Sequence, residues 1–327
     1  MTRSRDHKIT RSHDMDIVFC GTPQFAVPTL EALLENGFNV RLVVTQPDRP
    51  RGRGLLTAPS AIKQLALERG LPVTQPETIR NNPEFRARLE QIQPQAIVVV
   101  AYGRILPNWM LDLPPLGNIN LHASLLPKYR GAAPIQWAIA RGETVTGVTT
   151  MRIDAGLDTG DIVLQREVPI LPEDTAETLA PRLAAIGAPL MVETLRGLKA
   201  GTTKPVPQDN ASATVAPIIK REDGLIDFTR PATEIANRLR GFQPWPGVFT
   251  KFRGKNLHLW QLKPLSSGPE AVALGEIKVE GVHLYAGCGG KTMLEILEVQ
   301  PEGKKRMRAQ EFVNGYRPRP GEKFGAE

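Results

Sequence analysis

Hydrophobic and polar positions follow two alternating rhythms along the first two-thirds of the chain. DIVFCG (16–21) is a short continuous apolar run, and TPQFAVPTLEALLENG behind it spaces its apolar residues at helical intervals up to Gly37. NVRLVVTQ (39–46) reads as a second strand, whereas PDRPRGRGLLTAPS (47–60) has neither rhythm and reads as an extended loop. SAIKQLALERG is a helix closed by Gly70, LPVTQ a short strand, PEFRARLEQI (83–92) a helix and QAIVVVAYG (95–103) a buried strand. GNINLHA, a helix near 133–142 and the strand TGVTTMRI (146–153) continue the series. Strands alternating with helices predict an α/β unit with a mainly parallel sheet covered by helices on both faces. Sites in such sheets lie beyond the carboxyl ends of the strands.

The rhythm then changes. TAETLAPRLAAIGAPLMVETLRGLKAG (175–201) is one long amphipathic stretch, and TTKPVPQDNASATVAP (202–217) has the composition of an interdomain linker. After a helical TEIANRLRGF, the segments VFTKFRGKNLHLWQL and GEIKVEGVHLYAGCGGKTMLEILEVQ and the tail alternate with period two and turn at glycine, which predicts a small β-barrel.

Length fits this division, because 327 residues exceed one typical core. A hydrophobic fraction of 41% and a charged fraction of 23% are ordinary for a globular protein, while a net charge of +7 points to a polyanionic partner or simply to solubility. The two cysteines, Cys20 and Cys288, are far apart without metal-type spacing, which suggests a reducing compartment. No window is apolar enough for a transmembrane helix. The first segment, MTRSRDHKITRSHD, lacks the apolar core of a secretory signal and reads as a disordered extension ahead of Met15.

Candidate chemistry sits where the strand pattern is broken by polar residues. Gly21-Thr22-Pro23, at the first strand-to-helix turn, is not a three-glycine dinucleotide fingerprint, and no Walker loop is present. In Asn120-Leu121-His122 the polar residues are i and i+2 and share one sheet face. An amide N–H and an imidazole N–H pointing together can bind an oxygen that gains negative charge; a buried, satisfied polar pair is the alternative. DAGLDTGD (154–161) offers Asp154, Asp158 and Asp161 among glycines. One of these carboxylates can orient His122, or all can serve turn chemistry; calcium binding lacks the spacing. Arg49, Arg51 and Arg53 form a basic loop, and Lys304, Lys305, Arg306 and Arg308 a basic tail, each suited to phosphates or to solvent.

Taken together, IVFCGTPQFAVPTLEALL, TQPDRPRGRG, VVAYGRILP, NINLHASLLPKYRGAAPIQWAI, GVTTMRIDAGLDTGDI, FQPWPGVFT and GKKRMRAQEF resemble the methionyl-tRNA formyltransferase family from Met15 to the tail. The N-x-H, SLLPKYRG and LDTGD set is similar to that of folate-dependent formyltransferases in general. AAPIQ, the RGRG loop and the appended barrel narrow the resemblance to the tRNA enzymes. The resemblance implies a Rossmann-like catalytic domain over 15–201, a linker over 202–220 and an OB-like tRNA-binding domain over 221–327. It implies formyl transfer from 10-formyltetrahydrofolate to the methionine amine of initiator Met-tRNA, in a cytoplasmic monomer, without metal or membrane. Matched residue by residue, it implies that Asn120, His122 and Asp158 are catalytic. Ser124, Leu125, Leu126 and Pro127, with Arg104, Ile105 and Leu106, match the folate-contacting positions. Arg49, Arg51 and Arg53, with Lys304, Lys305 and Arg306, are the expected tRNA contacts. One departure is Leu55-Leu56 after Gly54, where the family often carries lysines. The sequence leaves two rivals: a formyltransferase acting on a sugar nucleotide or glycinamide ribonucleotide, and a tRNA-binding protein with a decayed enzyme domain.

Overall fold

A computed structural model of the chain describes residues 15–51, 56–266 and 272–325, and for residues 50, 51, 56 and 57 the backbone alone. Its elements begin with β1 (Asp16–Gly21), α1 (Val27–Glu35), β2 (Asn39–Val44), β3 (Arg49–Arg51), β4 (Leu56–Ala58), α2 (Ala61–Glu68), β5 (Val73–Thr74) and α3 (Pro83–Ile92). They continue through β6 (Ala96–Val100), α4 (Asn108–Leu111), β7 (Asn118–His122), α5 (Pro134–Ala140), β8 (Val145–Arg152), β9 (Ile162–Pro169) and α6 (Ala176–Ala200). The chain then forms α7 (Ala232–Phe242), β10 (Val248–Phe252), β11 (Lys255–Leu265), β12 (Ile277–Glu280), β13 (His283–Cys288), β14 (Thr292–Pro301), β15 (Met307–Arg308) and α8 (Ala309–Tyr316).

The larger sheet has the order β5-β2-β1-β6-β7-β8-β9. β5, β2, β1, β6 and β7 run parallel, and β8 is antiparallel to β7. In β1 every residue after Asp16 is buried, as is all of β6, so both faces of the central strands are covered. Val18, Cys20, Leu42, Val44, Ile97 and Val99 supply one face of this core and meet Phe85 and Leu89 of α3 and Met110 of α4. The sheet grows outward from β1 to β2 and β5, then resumes on the other side of β1 with β6. That reversal creates a crevice at the carboxyl ends of β1 and β6, beside which β7 delivers His122.

Three segments depart from the pattern read in the sequence. Residues 47–60 are not a plain loop: β3 and β4 pair antiparallel, with Arg49 opposite Ala58 and Arg51 opposite Leu56. IVLQREVP forms β9 at the sheet edge, where its alternation is diluted by the exposed Arg166 and Glu167 and by Gln165, which turns inward to Thr149. The tail forms only the two-residue β15 before it turns into α8, where Glu311 accepts from the Arg308 amide at 2.8 Å and caps the first turn.

The chain divides into two compact units. One comprises 15–128, 147–167 and 181–213 among the described residues; the other comprises 129–146, 168–180 and 214–325. In the second unit β10-β11-β14-β13-β12 form an antiparallel sheet with β15 beside β14. The sheet, α7 and α8 enclose one core that includes Ile235, Leu257, Leu294, Ile296 and Phe312.

Candidate active site

The site is built on the carboxyl end of β7. Ile119 and Leu121 are buried, so the strand's parity carries Asn120 and His122 together on the opposite face. Asn120 is half-buried, and its amide has no protein partner among the described residues. His122 is nearly enclosed, and its Nδ1 lies 3.6 Å from Asp158 Oδ2; the two side chains are 6% and 18% exposed. That separation is an ion-pair distance slightly longer than a hydrogen bond.

Asp158 reaches this position because its loop turns back on itself. Ile153 donates to Asn118 O at 2.8 Å, at the amino end of β7, so the segment 154–161 starts at the wrong end of the strand for His122. Asp154 turns it by accepting from Gly156 N at 3.0 Å and Thr159 Oγ1 at 2.7 Å. Asp158 itself takes φ of 52°, a left-handed conformation uncommon for a side-chain-bearing residue. Gln208 braces it: one amide nitrogen donates to Asp158 O at 2.9 Å and to Gly160 O at 2.6 Å. Gly160 is required for packing, since a Cβ there would lie 2.0 Å from Arg152 O.

The loop after His122 is fixed by one hydroxyl. Thr149, paired opposite His122 on β8, is fully buried. Its Oγ1 donates to Ser124 O at 2.6 Å and accepts from Leu126 N at 3.2 Å and Gln165 Nε2 at 2.9 Å. Ser124 is also fully buried and donates to Lys128 O at 2.7 Å, so its hydroxyl shapes the loop from within. Leu126 is buried as well, whereas Leu125 and Pro127 keep exposed surface.

At the end of β6 the expected trio separates. Leu106 packs into the core, Arg104 donates to Glu77 O, and Ile105 stands 86% exposed. Tyr102 O and Gly103 O accept from Gln46 Nε2 at 2.8 and 3.3 Å, which fixes the chain where it leaves the sheet. Leu157, on the loop that carries Asp158, is 65% exposed. Ile105 and Leu157 are therefore apolar surfaces that the fold of this unit leaves uncovered.

Of the basic residues, Arg49 is exposed on β3, Arg51 is described only as backbone, and Arg53 lies outside the described residues. The hairpin's base is anchored by Asp48, which pairs with Lys63 and accepts from Gln75 Nε2 at 2.7 Å; these contacts hold its carboxyl below the usual range. Lys304, Lys305 and Arg306 are exposed in the turn between β14 and β15, where Arg306 pairs with Glu298. No group of His, Cys, Asp and Glu suited to a metal occurs among the described residues, nor a helix long and apolar enough to cross a membrane.

Three residues that shape the site do not stand out in the sequence. Thr149 and Gln165 lie within strands, and Gln208 falls in the segment with linker composition. That segment is not loose: besides the Gln208 bonds, Val206 exchanges hydrogen bonds with Ile162 at 2.8 and 2.9 Å. Its signal is limited to one long amide among small polar residues, and only the fold gives it a target.

A family model described as formyl transferase matches residues 15–195, and one described as formyl transferase, C-terminal domain, matches 218–317. The methionyl-tRNA formyltransferase of Koribacter versatilis is 63% identical over 311 residues, covering 95% of this chain and 99% of the relative. That of Acidobacterium capsulatum is 61% identical over 312 residues, covering 95% and 100%. Among solved structures, the N-formyltransferase of Helicobacter canadensis in complex with folinic acid and dTDP-3-aminofucose has a TM-score of 0.64 over 88% of this chain and 99% of its own. At 20% identity that likeness is one of fold.

Proposed function

The chain belongs to the methionyl-tRNA formyltransferases, and on that premise we propose that it transfers the formyl group of 10-formyltetrahydrofolate to the α-amino group of methionine on initiator tRNA. The observation that carries the chemistry is the unengaged Asn120 amide, which shares a face with a histidine whose Nδ1 lies 3.6 Å from a carboxylate oxygen. Asn120 donates to the formyl oxygen as attack by the amine turns it into an alkoxide. His122, oriented through Nδ1, presents its other nitrogen as the second donor. Asp158 holds the imidazole and, through water, accepts the proton that the attacking nitrogen must lose. The folate nitrogen leaves after protonation, and no bond to the protein forms.

The folate donor is assigned to the crevice beside Ile105 and the 124–127 loop. Leu125, Pro127 and Ile105 offer apolar contact there, while Ser124, Leu126, Arg104 and Leu106 keep the walls in shape. We assign catalysis to 15–201 and tRNA binding to 221–327, with 202–220 joining them. Arg49, Arg51 and Arg53, with Lys304, Lys305 and Arg306, are the proposed contacts to the tRNA backbone. A monomer working in the cytoplasm, where charged tRNA is found, completes the reading.

The test is transfer of labelled formyl from 10-formyltetrahydrofolate to three acceptors: Met-tRNA, free methionine and an amino-sugar nucleotide. Label is expected on Met-tRNA, with rates on the small amines lower by orders of magnitude. Equal or faster labelling of a small amine contradicts the assignment of acceptor.

A further inference from the structure

The outer face of the C-terminal sheet carries a row of side chains that its core does not use. Along β10 and β11, Val248, Thr250, Leu257 and Leu259 point inward and are buried. Strand alternation turns Phe249, His258 and Trp260 outward, where all three keep exposed surface. Phe249 stands directly opposite His258 in the antiparallel register, with ring centroids 5.4 Å apart. His258 stacks on Trp260 at 6.3 Å with the planes inclined by 28°.

A guanidinium ends the row on each side: Arg221 lies over Phe249 at 5.9 Å and Arg306 over Trp260 at 5.2 Å. The Trp260 indole donates to Gln300 Oε1 at 3.0 Å, and the Gln300 amide donates to Lys304 O at 3.0 Å, so the basic turn is tied to the ring. Glu298 neutralises Arg306, but Arg221, Lys304 and Lys305 make no ion pair among the described residues. Burial, reinforced by Arg221, holds the His258 imidazole below its usual range, which favours a neutral ring near pH 7.

We propose that this row is a stacking platform for unpaired nucleotides of the tRNA substrate, with one base taking the place of the Arg306 guanidinium over Trp260, its neighbour against His258, and the flanking phosphates taken by Arg221, Lys304 and Lys305. Every base presents a π face, and aromatic rings interleaved with cations are the surface on which single-stranded RNA is held. A purely electrostatic grip on tRNA needs the lysines but has no use for three outward aromatic side chains. The platform rests on the reading of the chain as an enzyme acting on tRNA, and it adds base stacking that phosphate pairing alone does not supply.

The experiment measures tRNA affinity against salt concentration for the full chain and for Trp260→Ala, Trp260→Phe and His258→Ala. Tryptophan fluorescence is titrated in parallel with an unstructured oligoribonucleotide and with its abasic counterpart. Trp260→Ala is expected to weaken tRNA binding on the order of tenfold with an unchanged salt slope, because the variant gives up stacking on a base and keeps its phosphate pairs. Trp260→Phe should restore most of the affinity. The oligoribonucleotide, but not the abasic chain, should quench the wild-type fluorescence, and Trp260→Phe should abolish that quenching. A folded Trp260→Ala with wild-type affinity overturns the platform. Should that variant fail to fold, wild-type affinity in His258→Ala together with absent quenching does the same. Wild-type formylation of Met-tRNA measured alongside separates the two questions: turnover without Trp260 dependence contradicts the platform alone, and binding without turnover contradicts the enzymatic reading alone.

Discussion

Asn120 and His122 occupy positions where a buried strand ordinarily carries Val or Ile, and that exchange is visible without a structure. Strand parity alone puts them on one face, so the sequence was enough to nominate them. Spacing did not choose among Asp154, Asp158 and Asp161; the family resemblance alone pointed to Asp158. Asp154 spends its oxygens on Gly156 and Thr159, and Asp158 is the one that lies 3.6 Å from His122. Removing an oxyanion donor lowers kcat by about a hundred- to a thousandfold, and Asn120→Ala and His122→Ala are each expected to fall in or below that range. The double variant should lose less than the product of the single losses, since both donors act on one oxygen. Steady-state and pre-steady-state rates of the three variants check this; strictly multiplicative losses would mean that the residues act independently. The Ser124 hydroxyl carries the opposite lesson. It matches a family position for folate contact, yet it is consumed inside its own loop, a fate that no sequence pattern announces.

Among the elements, α3 and α6 read correctly because burial of one face imposes a helical period, and β6 because burial of both faces makes it a continuous apolar run. β9 did not, since an edge strand with one flank open carries polar residues that blur its alternation. The 154–161 loop and residues 202–213 were harder still, because their order comes from specific hydrogen bonds rather than from burial. The Gln208 amide holds the backbone on both sides of Thr159 and so sets where the Asp158 carboxylate points. Gln208→Ala is expected to lower kcat by about ten- to a hundredfold while leaving folate affinity near wild type, as a displaced catalytic group costs rate rather than binding. Separate determination of kcat and of folate Kd distinguishes this from general unfolding, in which both would fail together. Gly160→Ala forces the same loop away from Arg152 O and should destabilise the fold by about 1–3 kcal/mol, read as a lowered denaturation midpoint.

At the scale of the whole molecule, both cysteines are sealed in cores, Cys20 in that of the larger sheet and Cys288 in that of the C-terminal sheet. Burial pushes both thiols up, that of Cys288 to about 12. Neither should react with a thiol-specific reagent at pH 8 until the protein is denatured, and rapid labelling of the native chain would show that one core opens. Charge acts at the same scale. Replacing Lys304 and Lys305 by alanine should raise KM for tRNA and reduce its salt slope by about one for each phosphate left unpaired, with kcat retained. A fall in kcat at unchanged KM would move those lysines into the chemistry. Residue and molecule meet in one proposal: an enzyme of this family in which Asn120, His122 and Asp158 perform the transfer. Single-turnover transfer of formyl from 10-formyltetrahydrofolate to Met-tRNA, with both substrates saturating, tests it most directly in the wild type and in His122→Ala. Rapid transfer is expected from the wild type, and a rate at least about a hundredfold lower from the variant. A near-normal rate for His122→Ala would contradict it and return Asn120 and His122 to the status of a buried polar pair.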